Sequence, residues 1–204
     1  VVLSIFASIP FLLGYTNAIL VDAIFEAVSG ITTTGSTVFS DLDKMPKGLL
    51  LWRGILQWLG GIGIIVVAMV FLPELRVGGM QIFRAEGFDT LGKILPRATT
   101  IAFQISIIYV GITIACGLAY VLAGMSFFDA VVHSFTTVAT GGFSNYDKSF
   151  SVFSWKVEYV AILFMILSAL PFVRYVQLIN GQGTAIFKDP QVKTFIFLIC
   201  FLVV

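Results

Sequence analysis

The chain reads as an all-α integral membrane protein built from a repeat of outer helix, re-entrant short helix with its loop, and inner helix. Three observations carry that reading. Of 204 residues, 58% are hydrophobic and only 11% charged, a balance typical of proteins embedded in lipid. The charges gather in short links between uncharged runs, several of them long enough to cross the ~30 Å of hydrocarbon in a bilayer. The stretch from Asp22 to Phe39 also recurs from Asp129 to Phe143 at a constant offset of 107, which pairs Ala23 with Ala130, Thr33 with Thr140 and Gly35 with Gly142.

Residues 1–21 hold no charge before Asp22 and form the expected first outer helix, loosened by Pro10 and Gly14. No basic segment precedes them and no small-residue cleavage site follows, so no secretory signal is expected. Both ends of the chain lie inside apolar runs, and it reads as a fragment. Asp22 opens a short helix of about ten residues, roughly 15 Å long and too short to span. The Asp22 carboxylate is expected to cap the first turn, with attraction of cations at a mouth as the competing role, and Asp129 is read the same way in the second copy. Thr32 to Ser36 follows, then a polar link from Asp41 to Lys47 broken by Pro46. Leu49 to Leu72 crosses back, with Gln57, Gly60, Gly61 and Gly63 at its middle, small residues that let another helix approach closely. No strand precedes those glycines and no GxGxxG is completed, which excludes a dinucleotide fingerprint.

The first repeat therefore covers residues 1–72, and residues 73–97 form a mixed-charge connector. The second repeat, 98–179, has an uncharged run from Ala98 to Phe128, a short helix containing His133 and Phe135, a loop from Thr136 to Phe143, and a polar link through Asp147 and Lys148. Its return helix, Val157 to Val176, is expected to bend at Pro171. Residues 180–193 make a second connector, and 194–204 begin a third repeat. The connectors with Arg174 hold seven Lys and Arg against five on the loop side, so the positive-inside rule puts the connectors in the cytoplasm.

Backbone that is neither helix nor strand survives at membrane depth only where protein or a water-filled cavity satisfies it. Thr32 to Ser36 and Ala139 to Phe143 are therefore expected to be buried or to line a pore. Inward carbonyls can replace the water shell of a potassium ion, glycine permits the backbone angles, and each short helix ends on its partly negative C-terminus. Arg53 reads as a salt-bridge partner or interfacial anchor in preference to a residue tuning the pore. Glu26 and His133, equivalent in the repeat, read as packing or hydrogen-bonding groups beside the loops, Arg174 as a side chain extending to the interface, and Cys116 and Cys200 as reduced hydrophobes. A net charge of +1 offers no footprint for nucleic acid. Scattered acids and a single His make no acid–base pair, nucleophile or metal cluster, so an enzyme is not expected. A secondary transporter with discontinuous helices is the alternative, although there the N-terminal end of a half-helix faces an anionic solute, whereas here the Thr/Gly segments follow the C-terminal ends.

The residues Thr32-Thr33-Thr34-Gly35-Ser36, Trp52-Arg53, Gln57-Trp58-Leu59-Gly60-Gly61-Ile62-Gly63-Ile64-Ile65-Val66 and Thr137-Val138-Ala139-Thr140-Gly141-Gly142-Phe143-Ser144 resemble the membrane subunits of Trk/Ktr-type potassium uptake systems, the bacterial TrkH branch in particular. The likeness covers nearly the whole chain. It implies four repeats around one pore, as in potassium channels, of which two and the start of a third are present. It further implies potassium bound by carbonyls of Thr33, Thr34, Thr140 and Gly141, filter glycines at Gly35 and Gly142, no cofactor, and inward potassium transport across the bacterial inner membrane. A homodimer and a cytosolic nucleotide-binding regulatory subunit, TrkA in the Trk branch, are implied as partners. Glycine at both visible filter positions fits the potassium-selective pattern, whereas Ser at the first would have suggested the sodium-permeable alternative in the same superfamily.

Overall fold

The computed structural model describes residues 2–14, 18–71, 98–181 and 184–203, with backbone alone at 64–71, 98–101, 185 and 203. Among the described residues every regular element is helical and no strand occurs. The connector expected at 73–97 lies outside them. In chain order the helices are α1 (Val2–Leu13), α2 (Leu20–Ile31), α3 (Lys47–Phe71), α4 (Ala98–Leu122), α5 (Phe127–Val138), α6 (Trp155–Ala169), α7 (Phe172–Ile179), α8 (Ala185–Lys188) and α9 (Pro190–Val203). Two 3-10 turns, Leu42–Lys44 and Ser149–Val152, follow the short helices α2 and α5. The offset of 107 found in the sequence also relates both ends of α2 to those of α5, and the start of one 3-10 turn to that of the other.

The chain forms two compact units, Val1–Ile65 with Val110–Ser168, and Val66–Tyr109 with Ala169–Val204. In the first, α1 is shorter than expected: the sequence predicts one helix over residues 1–21, but the helix stops at Leu13. Pro10 lies inside it, lacking the N–H for a bond to the preceding turn, and Gly14 closes the last turn by donating to the Pro10 carbonyl at 2.9 Å. Ser4, Ala7, Ser8 and Phe11 form its buried stripe at the spacing of one helix face. Ala7 and Phe11 meet Ala23 and Ala27 of α2 and Leu49 and Leu56 of α3. The Trp52 indole of α3 donates to the Ala7 carbonyl at 3.0 Å, which ties α3 to α1. Outward residues such as Leu3, Phe6, Leu13, Ile114, Leu118 and Leu122 are large, apolar and exposed, the pattern of a lipid-facing surface. Within α4, Ala102–Leu122 is long and apolar enough to cross a membrane.

The expected return helix is interrupted at Leu170 and Pro171, between α6 and α7, as the missing proline N–H requires. In the second unit the Tyr109 and Phe172 rings lie 5.9 Å apart. Arg174 does not simply extend toward an interface: its Nε donates to Asp189 at 2.5 Å and its Nη1 to the Gln177 carbonyl oxygen at 2.8 Å. The other Asp189 oxygen accepts from the Gln191 N–H at 2.8 Å, at the start of α9. Burial pushes the Asp189 carboxyl up, but the bonds from Arg174 and from backbone N–H groups outweigh it and hold it below the ordinary carboxylate value.

Candidate functional site

Both short helices end in the same way, residue for residue. At the end of α2, Thr33 N–H donates to Gly30 and Thr34 N–H to Ser29, at 3.0 and 2.9 Å; at the end of α5, Thr140 N–H donates to Thr137 and Gly141 N–H to Thr136, again at 3.0 and 2.9 Å. These are the paired bonds of a Schellman motif, whose left-handed residue is normally Gly or Asn. Here it is threonine both times, with φ of 55° at Thr33 and 53° at Thr140. A β-branched residue in that region costs on the order of 1–3 kcal/mol and persists only where its surroundings impose it. Two residues on, Gly35 and Gly142 return to positive φ, 76° and 80°. The loops at Thr32–Ser36 and Ala139–Phe143 thus share a backbone that alternates in hand at matched positions.

The two loops also touch. A Cβ placed on Gly35 would fall 1.8 Å from the Gly141 carbonyl oxygen, so only glycine permits this approach, whereas one on Gly142 would meet nothing within 4 Å. On α3, a Cβ at Gly60 would fall 2.0 Å from the Ile31 carbonyl oxygen. The glycine-rich middle of α3 thereby lets the end of α2 lie directly against it. Among the predicted site residues, Thr33, Gly35 and Gly141 are half-buried, and Thr34, Thr140 and Gly142 are exposed.

A buried polar frame supports the loops. Glu26 and Arg53 are each about 1% exposed or less, and Arg53 Nε donates to Glu26 at 2.7 Å. A buried pair stays charged only when its remaining lone pairs and protons find partners. Glu26 also accepts from Thr37 Oγ1 at 2.9 and 3.0 Å and from the Val38 N–H at 3.2 Å. Arg53 Nη1 donates to the Ser144 carbonyl at 2.9 Å, and the guanidinium lies 4.2 Å from the centre of the Phe143 ring. This answers the choice left open for Arg53: it is a salt-bridge partner, and it joins the first short helix to the chain after the second loop. At the position equivalent to Glu26, His133 meets Ser144, the equivalent of Thr37: Nε2 and the Ser144 hydroxyl are 3.1 Å apart, and Nδ1 lies 2.8 Å from the Asp129 carbonyl. Because a carbonyl only accepts, Nδ1 carries the proton and Nε2 accepts from Ser144. Each short helix is therefore tied to its own descending chain by one matched pair, acid with hydroxyl in one copy and imidazole with hydroxyl in the other.

The expected capping roles are corrected. Ser126, three residues before Asp129, is the N-cap of α5, and its hydroxyl accepts from the Asp129 N–H at 3.2 Å while donating to Asp129 Oδ2 at 2.6 Å. Asp129 thus lies in the first turn and pairs with the N-cap hydroxyl, and its carboxylate also takes Asn145 Nδ2 at 2.8 Å and the Tyr146 hydroxyl at 3.0 Å. The N-cap of α2 is Ile19, with no side-chain bond, and Asp22 lies inside the helix. Sequence reasoning placed both helices two residues too late because it took the acid for the boundary. The Ser-x-x-Asp spacing at Ser126 was the signal available.

The matching family model, TrkH, described as a cation transport protein, covers residues 3–204. The chain belongs to the TrkH family of cation transport proteins. It is similar to the Trk system potassium uptake protein TrkI of Halomonas elongata, 46% identical over 201 residues, covering 98% of this chain and 41% of that protein. TrkH of Vibrio parahaemolyticus is 43% identical over 208 residues, with 96% and 43% covered, and TrkH of Escherichia coli K12 is 41% identical over 200 residues, with 96% and 41% covered. The crystal structure of the potassium transporter TrkH from V. parahaemolyticus superposes with a TM-score of 0.83 at 40% identity, covering 98% of this chain and 42% of that one. The chain thus spans less than half the length of the family members it matches. No cluster of three His, Cys, Asp or Glu able to hold a metal occurs among the described residues. The chemistry the loops offer is that of backbone carbonyls and threonine hydroxyls.

Proposed function

We propose that the chain contributes two of four loops that together bind and pass potassium, in a transporter that takes the ion up across the bacterial inner membrane. Potassium is held by carbonyls of Thr33, Thr34, Thr140 and Gly141, and Gly35 and Gly142 allow the loops their backbone angles. The observation that carries this reading is the matched left-handed backbone at Thr33 and Thr140 and at Gly35 and Gly142, in loops that approach as closely as Gly35 and the Gly141 carbonyl. Strain repeated at equivalent positions marks a backbone shaped for a task, and carbonyls on such a backbone can stand in for the water shell of a cation. The relatives named above as potassium uptake proteins supply the ion.

Two loops make half a ring, so the whole protein completes the pore from its further repeats, in a homodimer. A cytosolic nucleotide-binding subunit of the TrkA kind docks on the connectors at residues 73–97 and 180–193. Rubidium uptake by cells lacking their own potassium transport, with and without the whole protein, tests the reading. Uptake that potassium competes away and sodium does not is the expected result; uptake indifferent to potassium, or driven by an organic anion, refutes it. Cross-linking from residues 180–193 is expected to capture the regulatory subunit, and capture only from residues 41–47 would refute both partner and orientation.

A further inference from the structure

Gln57 lies against both loops at the point where they meet. It is fully buried. A Cβ on Gly141 would fall 2.5 Å from its Cδ, and one on Gly35 would fall 3.6 Å from its Nε2. Its Oε1 accepts from the Phe143 N–H at 3.1 Å, which fixes the amide's orientation, and Nε2 has no partner among the described residues. A buried donor without a partner is costly; an apolar side chain of the same length would remove that donor but leave the Phe143 N–H unpaired, so the amide is there for its bond to the second loop. One turn earlier on the same helix, Arg53 holds the carbonyl of the next residue, Ser144. The first turns of the two inner helices match at an offset of 108, with the Leu49 and Val157 N–H groups donating to the Pro46 and Ser154 carbonyls, so the second carries Ala161 and Met165 at the corresponding positions and does not repeat this brace.

We propose that Gln57 is a positioning residue for ion discrimination: its amide, pinned by the Phe143 N–H, sets the separation of Gly35 and Gly141 and with it the size of ion the two loops accept together. The inference rests on the potassium reading above. It is tested in the whole protein, expressed in cells lacking potassium uptake, by measuring rubidium uptake against added sodium and normalising to the protein in the membrane. Gln57→Met removes both polar atoms, Gln57→Asn draws the amide back by one methylene, and Gln57→Glu keeps an acceptor at full reach. Gly35→Ala is the reference for the loops themselves.

With Gln57→Met and Gln57→Asn, sodium competes about tenfold more strongly, the factor that one such bond is worth. Gln57→Glu stays with the wild type, because an acceptor at full reach keeps the Phe143 bond. A purely structural role would lower the amount of protein in the membrane and leave the ratio of the two ions unmoved. If Gln57→Met and Gln57→Asn keep the wild-type ratio while Gly35→Ala changes it, the role given to Gln57 is overturned and the potassium reading stands. If Gly35→Ala also keeps the ratio at normal membrane levels, the potassium reading itself fails. Should Gln57→Met not reach the membrane, the comparison of Gln57→Asn with Gln57→Glu decides alone.

Discussion

Gly35 in the first loop and Gly124 in the turn between α4 and α5 share a backbone hand, yet alanine should affect them very differently. Both have positive φ, so each alanine carries a backbone strain of about 1–2 kcal/mol. At Gly124 that is the whole effect, since a Cβ there meets nothing within 4 Å. At Gly35 the new atom would lie 1.8 Å from the Gly141 oxygen, and real Cβ contacts essentially never fall below 3.0 Å. One loop must therefore move by at least about 1.2 Å, and the obstacle is backbone, which cannot swing aside. The displaced carbonyl is one of those assigned to the ion. Gly124→Ala should accordingly lower thermal stability by about 1–2 kcal/mol with ion preference kept. Gly35→Ala should reduce potassium over sodium discrimination by about tenfold or more, a change of only ~1.4 kcal/mol between the ions. Rubidium uptake with sodium competition, beside melting of the purified proteins, measures both. Equal losses of discrimination in the two variants would refute the reasoning, because the difference comes from the contact between the loops at Gly35.

Removing Arg53 with Arg53→Met leaves Glu26 charged and buried without its partner and should cost about 3–5 kcal/mol; the double variant with Glu26→Gln should recover much of this in detergent melting, and no recovery would mean the pair is not the source. Gly60→Ala should strongly reduce the protein recovered from membranes, since its Cβ would meet the Ile31 carbonyl at 2.0 Å, whereas at exposed Gly48, in the first turn of α3, a Cβ would meet nothing within 4 Å and Gly48→Ala should match the wild type. The Asp189 carboxyl sits below its ordinary value of 3.8, so its bonds to Arg174 and Gln191 stabilise the fold above that pH and are lost as pH falls through the lowered value. Asp189→Asn should therefore melt earlier than the wild type at pH 7 and approach it below pH 3.8; a gap that does not close on acidification would show that the charge is not the cause.

The helical class and the family were legible because they rest on local signals: uncharged runs, punctuating glycines and prolines, and a motif repeated at one offset. Pro171, which cannot donate an N–H, marked the interruption between α6 and α7 for the same reason. Local signals also misled. An uncharged run over residues 1–21 looked like one helix although its helical part ends at Leu13, since hydropathy does not register where a backbone turns. Asp129 drew attention as an acid at a helix start, while the residue that ends the chain's extended approach is Ser126. What stayed hidden depends on contacts far apart in sequence. Arg53 reaches Glu26 and Ser144, 27 and 91 residues away, and Gln57 reaches Phe143, 86 residues away. Neither partner can be named from spacing. The left-handed threonines were likewise invisible, because propensity argues against them at those positions.

The central claim is that backbone carbonyls of the two loops hold the ion, and anomalous scattering from rubidium in crystals of the whole protein tests it most directly. A rubidium peak among the carbonyls of Thr33, Thr34, Thr140 and Gly141, absent when sodium replaces rubidium, is the predicted result. A peak at the carboxylates of Asp22 or Asp129 with none at those carbonyls would contradict it.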